Sequence, residues 1–238
     1  MKRTSLLRWL TVLSIGATII INMLANTLPI NGLNTGEISD RFDIYFVPAG
    51  YVFSIWFIIY VGLIALGVYL VLPAARDNER LDRIPGWLML SSAANIAWIF
   101  CWHYLLFQLS LVVMVILLVS LIMAYVRLEI GKIPAGPGEF WLVRVPVSVY
   151  LGWISVATIA NVTQVLYINE WGGWGISDAA WAAIMLFVTA GLGWVMVLTR
   201  RDIFYLLVLI WAILGITLKH QSTQLVAGSA WAAVGLCA

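Results

Sequence analysis

The sequence PAGYVFSIWFIIYVGLIALGVYLVL, residues 48–72, carries no charged side chain and ends at Pro73. At a rise of ~1.5 Å per residue, about 23 helical residues are enough to cross the ~30 Å hydrocarbon core of a bilayer. We therefore predict that residues 48–72 form a membrane-spanning α-helix.

Aromatic residues in this stretch follow a helical period. Phe53, Trp56 and Tyr60 stand at positions i, i+3 and i+7, so a helix places their rings on one face. A face that only contacted lipid would be satisfied by leucine and isoleucine, and ring-bearing faces more often pack against other helices. The pattern leaves two interpretations open: contact with neighbouring helices, or one wall of a ligand pocket.

The composition of the whole chain is typical of a membrane protein. Of 238 residues, 63% are hydrophobic and 10% are charged. The mean hydropathy of +1.00 lies outside the range of soluble globular domains. We predict an all-α, polytopic transmembrane helix bundle. Because the basic residues are dispersed and the net charge is only +2, we expect no nucleic-acid partner.

Apolar runs recur along the chain. Eight candidate spans lie at residues 9–28, 48–72, 87–107, 109–125, 145–167, 179–198, 203–218 and 223–238. The last two are short for a full crossing, so seven spans is the alternative. The first run follows a basic segment and could be a signal peptide. It exceeds the ~7–15 residues of an apolar signal region, which favours a retained span.

The basic residues indicate the orientation of the bundle. With eight spans and a cytoplasmic N-terminus, the outer segments hold only Arg41 and Lys219. The inner segments hold Lys2, Arg3, Arg8, Arg76, Arg80, Arg83, Arg127, Lys132, Arg144, Arg200 and Arg201. Because cytoplasmic loops are enriched in lysine and arginine, we predict a cytoplasmic N-terminus and a multi-pass protein of the cell (inner) membrane.

The longest early loop, residues 30–47, is polar. Its acidic residues Glu37, Asp40 and Asp43 could gate a site or bind a cation. A solvated loop is the alternative, since their spacing matches no calcium-loop pattern. Nearer the C-terminus, small residues recur at a spacing that predicts close helix packing: Ala179 and Ala183, then Gly228 and Ala232.

Two further spans carry a polar and aromatic face. On the third span this face comprises Ser91, Asn95, Trp98 and Trp102; on the fifth it comprises Tyr150, Trp153, Ala157, Asn161 and Gln164. Amides in a bilayer need hydrogen-bond partners, because an unpaired polar group in hydrocarbon costs several kcal/mol. Convergence of these faces with the rings of the second span would enclose an aromatic ligand cavity. Polar contacts that only join the helices are the alternative.

The three ring-bearing spans resemble motifs of one family. Residues 48–69, PAGYVFSIWFIIYVGLIALGVY, resemble the second-helix signature of the TspO/MBR family, the tryptophan-rich sensory proteins that include the mitochondrial translocator protein. The third span has the family's Asn-x-x-Trp at Asn95 and Trp98. The fifth resembles its Pro-Tyr-x-x-Trp-x-x-x-Ala-Thr-x-x-Asn pattern at Val149, Tyr150, Trp153, Ala157, Thr158 and Asn161. The resemblance covers roughly residues 7–167.

The resemblance implies a five-helix body at residues 1–167, to which residues 168–238 add two or three transmembrane helices. It also implies an integral membrane receptor or carrier with a sensory or regulatory role, for porphyrin or heme-type tetrapyrroles or sterol-like lipids. Small-molecule transport and light-dependent porphyrin degradation are the alternatives. Taken with the faces above, the predicted ligand-binding residues are Phe53, Trp56, Tyr60, Asn95, Trp98, Tyr150, Trp153, Ala157 and Asn161.

We expect that the protein requires no cofactor and that porphyrin or heme is a ligand. The expected partners are a small apolar molecule and membrane lipid. Whether the protein forms a homodimer is not decided by the sequence. The chain has no zinc-protease, serine-nucleophile or phosphate-loop pattern, so we predict neither a catalytic nor a metal site. His103 and His220 are predicted as interfacial residues rather than a heme clamp. Val149 stands where the family has proline. Val162 stands where some bacterial members carry a second tryptophan, which argues against a porphyrin breakdown that relies on that second ring.

Overall fold

The computed structural model describes residues 3–28 and 30–237, and all regular secondary structure in those residues is helical. Eight long helices occur there: α1 Arg3–Thr27, α2 Ile55–Val71, α3 Pro85–His103, α4 Phe107–Arg127, α5 Val145–Ile168, α6 Asp178–Arg200, α7 Ile203–Lys219 and α8 Gln224–Cys237. Each predicted apolar run overlaps one of them. The largest difference is at the start of α2, where Gly50–Ser54 forms a 3₁₀ turn. Lys2 and Ala238, which the predictions include, lie outside the described residues.

Five helical segments of the described chain are both long enough and apolar enough to cross a membrane: Ser5–Thr27, Gly50–Val71, Phe107–Arg127, Pro137–Ile168 and Asp178–Arg200. α3 carries Ser91, Ser92 and Asn95, which lower its hydropathy, and α7 and α8 are shorter, at 17 and 14 residues. The protein is therefore an all-α polytopic membrane bundle, as the sequence predicts. The crossing of all eight helices and the orientation stay predictions.

The helices pack as a five-helix body with three more helices beside it. In the body, α1 lies against α2 and α3, α3 against α4, α4 against α5, and α5 against α2. α7 packs on α5 and on the turn Gly50–Ser54, whereas α6 and α8 pack on α7 and on each other. α6 is thus held mainly through α7, and a cavity separates its first half from α5.

Two glycines let α7 lie close to the body. A Cβ on Gly215 would overlap Cγ2 of Val52, and a Cβ on Gly152 of α5 would lie 3.1 Å from Cβ of Val208. Trp211 completes the contact by donating its indole N–H to the carbonyl of Val52 at 3.1 Å. Larger residues at the two glycine positions would push the helices apart.

The small residues predicted to pack near the C-terminus do not all do so. Ala183 of α6 is buried, but Gly228 and Ala232 of α8 are exposed. α8 instead buries Val226, Ala230, Ala233 and Cys237. The prediction for Gly228 and Ala232 is wrong, because a spacing of four residues does not show which side of a helix meets a neighbour.

Charged side chains at the predicted cytoplasmic end are paired. Arg8 of α1 is 6% exposed, and its guanidinium lies 2.8 Å from the Asp82 carboxylate in the segment between α2 and α3. Glu139, just before α5, pairs with Arg144 at 2.7 Å and with Arg80 at 3.2 Å. These pairs join α1 and α5 to the same connecting segment, and they keep buried charges compensated.

Residues 30–47, called the roof below, fold over the other end of the bundle. The short helix Thr35–Ser39 begins with a capping box formed by Asn34 and Glu37. The buried apolar side chains of the roof are Ile38, Ile44, Phe46 and Val47. The roof is therefore packed on the helices rather than freely solvated, which the polarity of its sequence does not indicate.

Candidate functional site

The ring and amide faces of α2, α3 and α5 meet around a small buried cavity, called the aromatic cavity below. Six of the nine predicted residues line it: Phe53, Trp56, Trp98, Trp153, Ala157 and Asn161. The roof contributes Thr35 and Ser39, and α4 contributes Met114. The convergence of the faces is a geometric finding, whereas ligand binding by these side chains stays a prediction.

One wall of the aromatic cavity is a cluster of rings from the α2 segment and α5. Phe53 meets Trp153 edge-on with ring centroids 5.8 Å apart, and Trp56 meets Trp153 edge-on at 6.3 Å. Tyr60 stacks on Trp56 at 5.6 Å but does not itself line the cavity. Such edge-to-face and stacked pairs fix ring orientation. The wall is therefore rigid at rest.

The opposite wall combines rings with a buried amide. Trp98 and Trp102 of α3 stack at 5.3 Å. The Trp98 indole N–H donates to Oδ1 of Asn161 at 3.3 Å, and Nδ2 of Asn161 donates to the Ser110 hydroxyl at 3.1 Å. Asn161 thus has protein partners at both ends of its amide, and it joins α3, α4 and α5.

Asn95 and Tyr150 lie outside the cavity lining, in a hydrogen-bonded chain across three helices. Nδ2 of Asn22 donates to Oδ1 of Asn95 at 2.7 Å, and Nδ2 of Asn95 donates to the Tyr150 hydroxyl at 2.9 Å. Asn95 is fully buried. For these two predicted residues, the geometry favours the interpretation that polar groups join the helices.

Trp153 differs from its neighbours in having an unpaired polar atom. Its side chain is 3% exposed, and its Nε1–H finds no hydrogen-bond partner among the described residues. A buried donor without an acceptor costs about 1–3 kcal/mol. Because Trp153 lines the aromatic cavity, an acceptor atom on a bound ligand could remove that penalty.

The outer end of α3 fixes the roof above the cavity. The His103 ring contacts the Thr35 hydroxyl through Nε2 at 3.1 Å and the Ile30 carbonyl through Nδ1 at 3.1 Å. The Trp102 indole N–H donates to the Thr35 carbonyl at 3.2 Å. From α7, Lys219 forms an ion pair with Asp40. Both ring nitrogens of His103 are thus engaged within the protein.

The aromatic cavity is small. Its volume of about 50 Å³ is room for one or two water molecules, at ~30 Å³ each. Pockets for drug-sized ligands measure roughly 300–1,000 Å³. A planar ligand would have to displace the roof or some of the rings.

A larger cavity, called the lateral cavity below, lies on the opposite face of α5. Its volume is about 910 Å³, and it lies between the roof segment 42–46, the second half of α5 and the first half of α6. It shares no lining residue with the aromatic cavity. No sequence motif marks this cavity, although Thr158, Val162 and Thr163 recur on that face of α5 and could have indicated it.

Asp202 is a buried acid that the sequence analysis also missed. Its carboxylate accepts hydrogen bonds from the Tyr125 hydroxyl at 2.8 Å and the Ser148 hydroxyl at 2.6 Å, and from the backbone N–H of Tyr205 at 3.1 Å. Asp202 caps α7 and joins it to α4 and α5. A structural role accounts for all these contacts.

Comparison with known proteins gives one match. A family model described as TSPO-like protein matches residues 8–238. No curated protein and no solved structure matches the chain. The match includes α6, α7 and α8, which the sequence motifs did not reach.

Proposed function

The chain belongs to the TSPO-like protein family, and from this premise we propose that it is a membrane receptor or carrier for planar apolar ligands. The ligands are porphyrin or heme-type tetrapyrroles, bound in the aromatic cavity, and the role is sensory or regulatory. Family membership and the apolar bundle support a membrane protein of the TspO type. The ligand and the role are the proposal.

The observation that carries the proposal is the unpaired indole N–H of Trp153, a residue that lines a cavity walled by rings. Trp56 and Trp98 offer aromatic faces to a flat ring system, and stacked aromatic groups stabilise each other beyond their buried area. A tetrapyrrole also carries carboxylate or nitrogen acceptors, one of which would accept from Trp153. Nδ2 of Asn161 carries a second N–H besides the one that Ser110 accepts, and that N–H would orient the ligand.

Ligand entry requires the roof to open. The polar contacts that close it include the His103 ring, the Trp102 indole and the ion pair between Asp40 and Lys219, and its apolar contacts are the buried side chains of Ile38, Ile44, Phe46 and Val47. Each neutral hydrogen bond contributes about 0.5–1.5 kcal/mol, and exposed ion pairs contribute less than ~1 kcal/mol. Burial of a large ring system must also offset the exposure of any apolar roof side chain that moves, at roughly 1.5–3 kcal/mol for each.

The test is a titration of the purified, detergent-solubilised protein with protoporphyrin IX and with heme, followed by tryptophan fluorescence and Soret absorbance. Trp153→Phe keeps a ring and removes the N–H, so we expect severalfold weaker binding. Trp141→Phe is the matched control, because Trp141 is 57% exposed and lies outside the cavity. Trp56→Ala should also weaken binding severalfold. Unchanged affinity in both the Trp56 and Trp153 variants would exclude this site.

A further inference from the structure

We propose that the lateral cavity binds a cationic amphiphile, with its positively charged head group at the roof end of α5 and its apolar body along the helix. The proposal does not depend on the proposed function, because the lateral and aromatic cavities share no lining residue. It assigns a ligand class to a space formed by α6, a helix beyond the five-helix body.

The body of the lateral cavity is apolar. Its walls include Val162 and Leu166 of α5 and Met185 of α6. The wall hydroxyls of Thr158 and Thr163 donate to carbonyls of their own helix, at 2.7 and 2.9 Å, so neither has its proton free for an acceptor on a ligand. At about 910 Å³, the space suits a ligand with a long or flat hydrocarbon part.

Three carboxylates stand around the cavity, from three separate segments. Asp43 comes from the roof, Glu170 follows α5, and Asp178 begins α6. All three are exposed, and none forms an ion pair with another described residue. No lysine, arginine or histidine is among the described residues that line the cavity. Its charge is therefore negative.

Nearby positive charges do not neutralise these carboxylates. Lys219 is paired with Asp40. Burial lowers the pKa of His220, so its ring, which packs on Tyr45 at 5.4 Å, is neutral at pH 7. Arg41 is exposed and does not line the cavity.

Aromatic rings stand at the same end as the carboxylates. Trp171 and Trp181, with ring centroids 5.3 Å apart, both line the cavity, as does Tyr167. The faces of such rings attract cations. A neutral lipid chain would fill the walls but leave three carboxylates unpaired, and an anionic head group would be repelled. Rings and carboxylates together therefore favour an ammonium group.

The experiment uses the full-length protein in phosphatidylcholine nanodiscs and three diphenylhexatriene probes that share one apolar body. One carries a trimethylammonium group, one no charge and one a carboxylate. Saturable energy transfer from tryptophan to the probe, above that of empty nanodiscs, reports binding. We expect the cationic probe to bind about tenfold more tightly than the neutral probe, and the anionic probe to bind most weakly.

Variants distinguish the contribution of the carboxylates to probe binding from that of the cavity volume. The combined change Asp43→Asn, Glu170→Gln and Asp178→Asn should bring the cationic and neutral probes to equal affinity. Glu79→Gln, at the opposite end of the bundle, is the matched control and should keep the tenfold difference. Val162→Phe should narrow the middle of the cavity and weaken saturable binding of all three probes, without adding a tryptophan donor. Thermal unfolding of each variant confirms that it is folded.

Two results would overturn the proposal. The first is equal affinity of the three probes for the native protein, or no saturable binding, which would make the lateral cavity a non-selective lipid groove. The second is a preference for the cationic probe that survives the triple carboxylate change. Trp153→Phe should leave the affinity for the probes unchanged. Failure of the lateral-cavity proposal can therefore be distinguished from failure of the tetrapyrrole proposal.

Discussion

One face of α5 carries Trp153, Ala157 and Asn161 and borders about 50 Å³ of empty space, whereas the opposite face carries Thr158, Val162 and Leu166 and borders about 910 Å³. On the first face, large rings and amides meet partners on α2, α3 and α4 and fill the volume that they surround. On the second, α6 is held by α7 rather than by α5, so space remains. The family motifs thus coincide with the closely packed face of α5, whereas the large lateral cavity borders the face that carries no motif.

Replacement of a ring by alanine should give the largest difference in unfolding free energy between the two faces of α5. Trp153→Ala is expected to lower the free energy of unfolding by ~3–5 kcal/mol, because it leaves a large void in a packed wall. Val162→Ala should change it by less than ~0.5 kcal/mol, since Val162 is 36% exposed and borders open space. Denaturant unfolding in detergent micelles measures both. Equal losses would mean that the two faces are packed alike.

Removal of a buried amide should have the next largest effect. Asn95→Leu is expected to cost about 2–3 kcal/mol, because Asn22 and Tyr150 both lose their partner. Gln164→Leu is the control: Gln164 is 1% exposed and its Nε2 is already unpaired among the described residues, so the change should cost less than ~1 kcal/mol. A larger loss for Gln164 would point to a partner outside those residues.

Addition of volume at adjacent positions should have opposite consequences for the two cavities. Ala157→Leu is expected to cost ~1–3 kcal/mol by overpacking the aromatic cavity and to block tetrapyrrole binding. Thr158→Leu points its added atoms into the lateral cavity and should change stability by less than ~1 kcal/mol. Thermal unfolding together with the two binding assays distinguishes them. Loss of tetrapyrrole binding in Thr158→Leu alone would reverse the assignment of the cavities.

Protonation of His220 should have the smallest effect. Burial lowers its pKa and outweighs the hydrogen bond with Val47, so the folded state favours the neutral ring. As the pH falls through the unfolded-state value of ~6.5, the unfolded state gains protons first and stability declines until the lower folded-state pKa is passed. Because His220 is partly exposed, we expect a loss below ~1 kcal/mol. His220→Gln should remove this pH dependence of the unfolding midpoint.

The sequence predicts the helices, and the residues that share one face of a helix, better than it predicts the cavities between helices. Periodicity was sufficient for the eight helices and for the shared face of Trp153 and Asn161 on α5, because helical geometry is local. The lateral cavity depends on how α6 leans on α7, and Gly228 and Ala232 show that spacing alone does not identify a neighbour. The burial of Asp202 likewise depends on contacts across 54 and 77 residues, to Ser148 and Tyr125.

The ion pair between Lys219 and Asp40 connects the last three helices to the roof. If ligands reach the aromatic cavity only when the roof is open, the apparent dissociation constant is the intrinsic one divided by the open fraction. Association would then be limited by roof opening, and its observed rate would level off at high ligand concentration. Residues far along the chain would thus set how fast the proposed ligand binds, while the rings would set how tightly it is held.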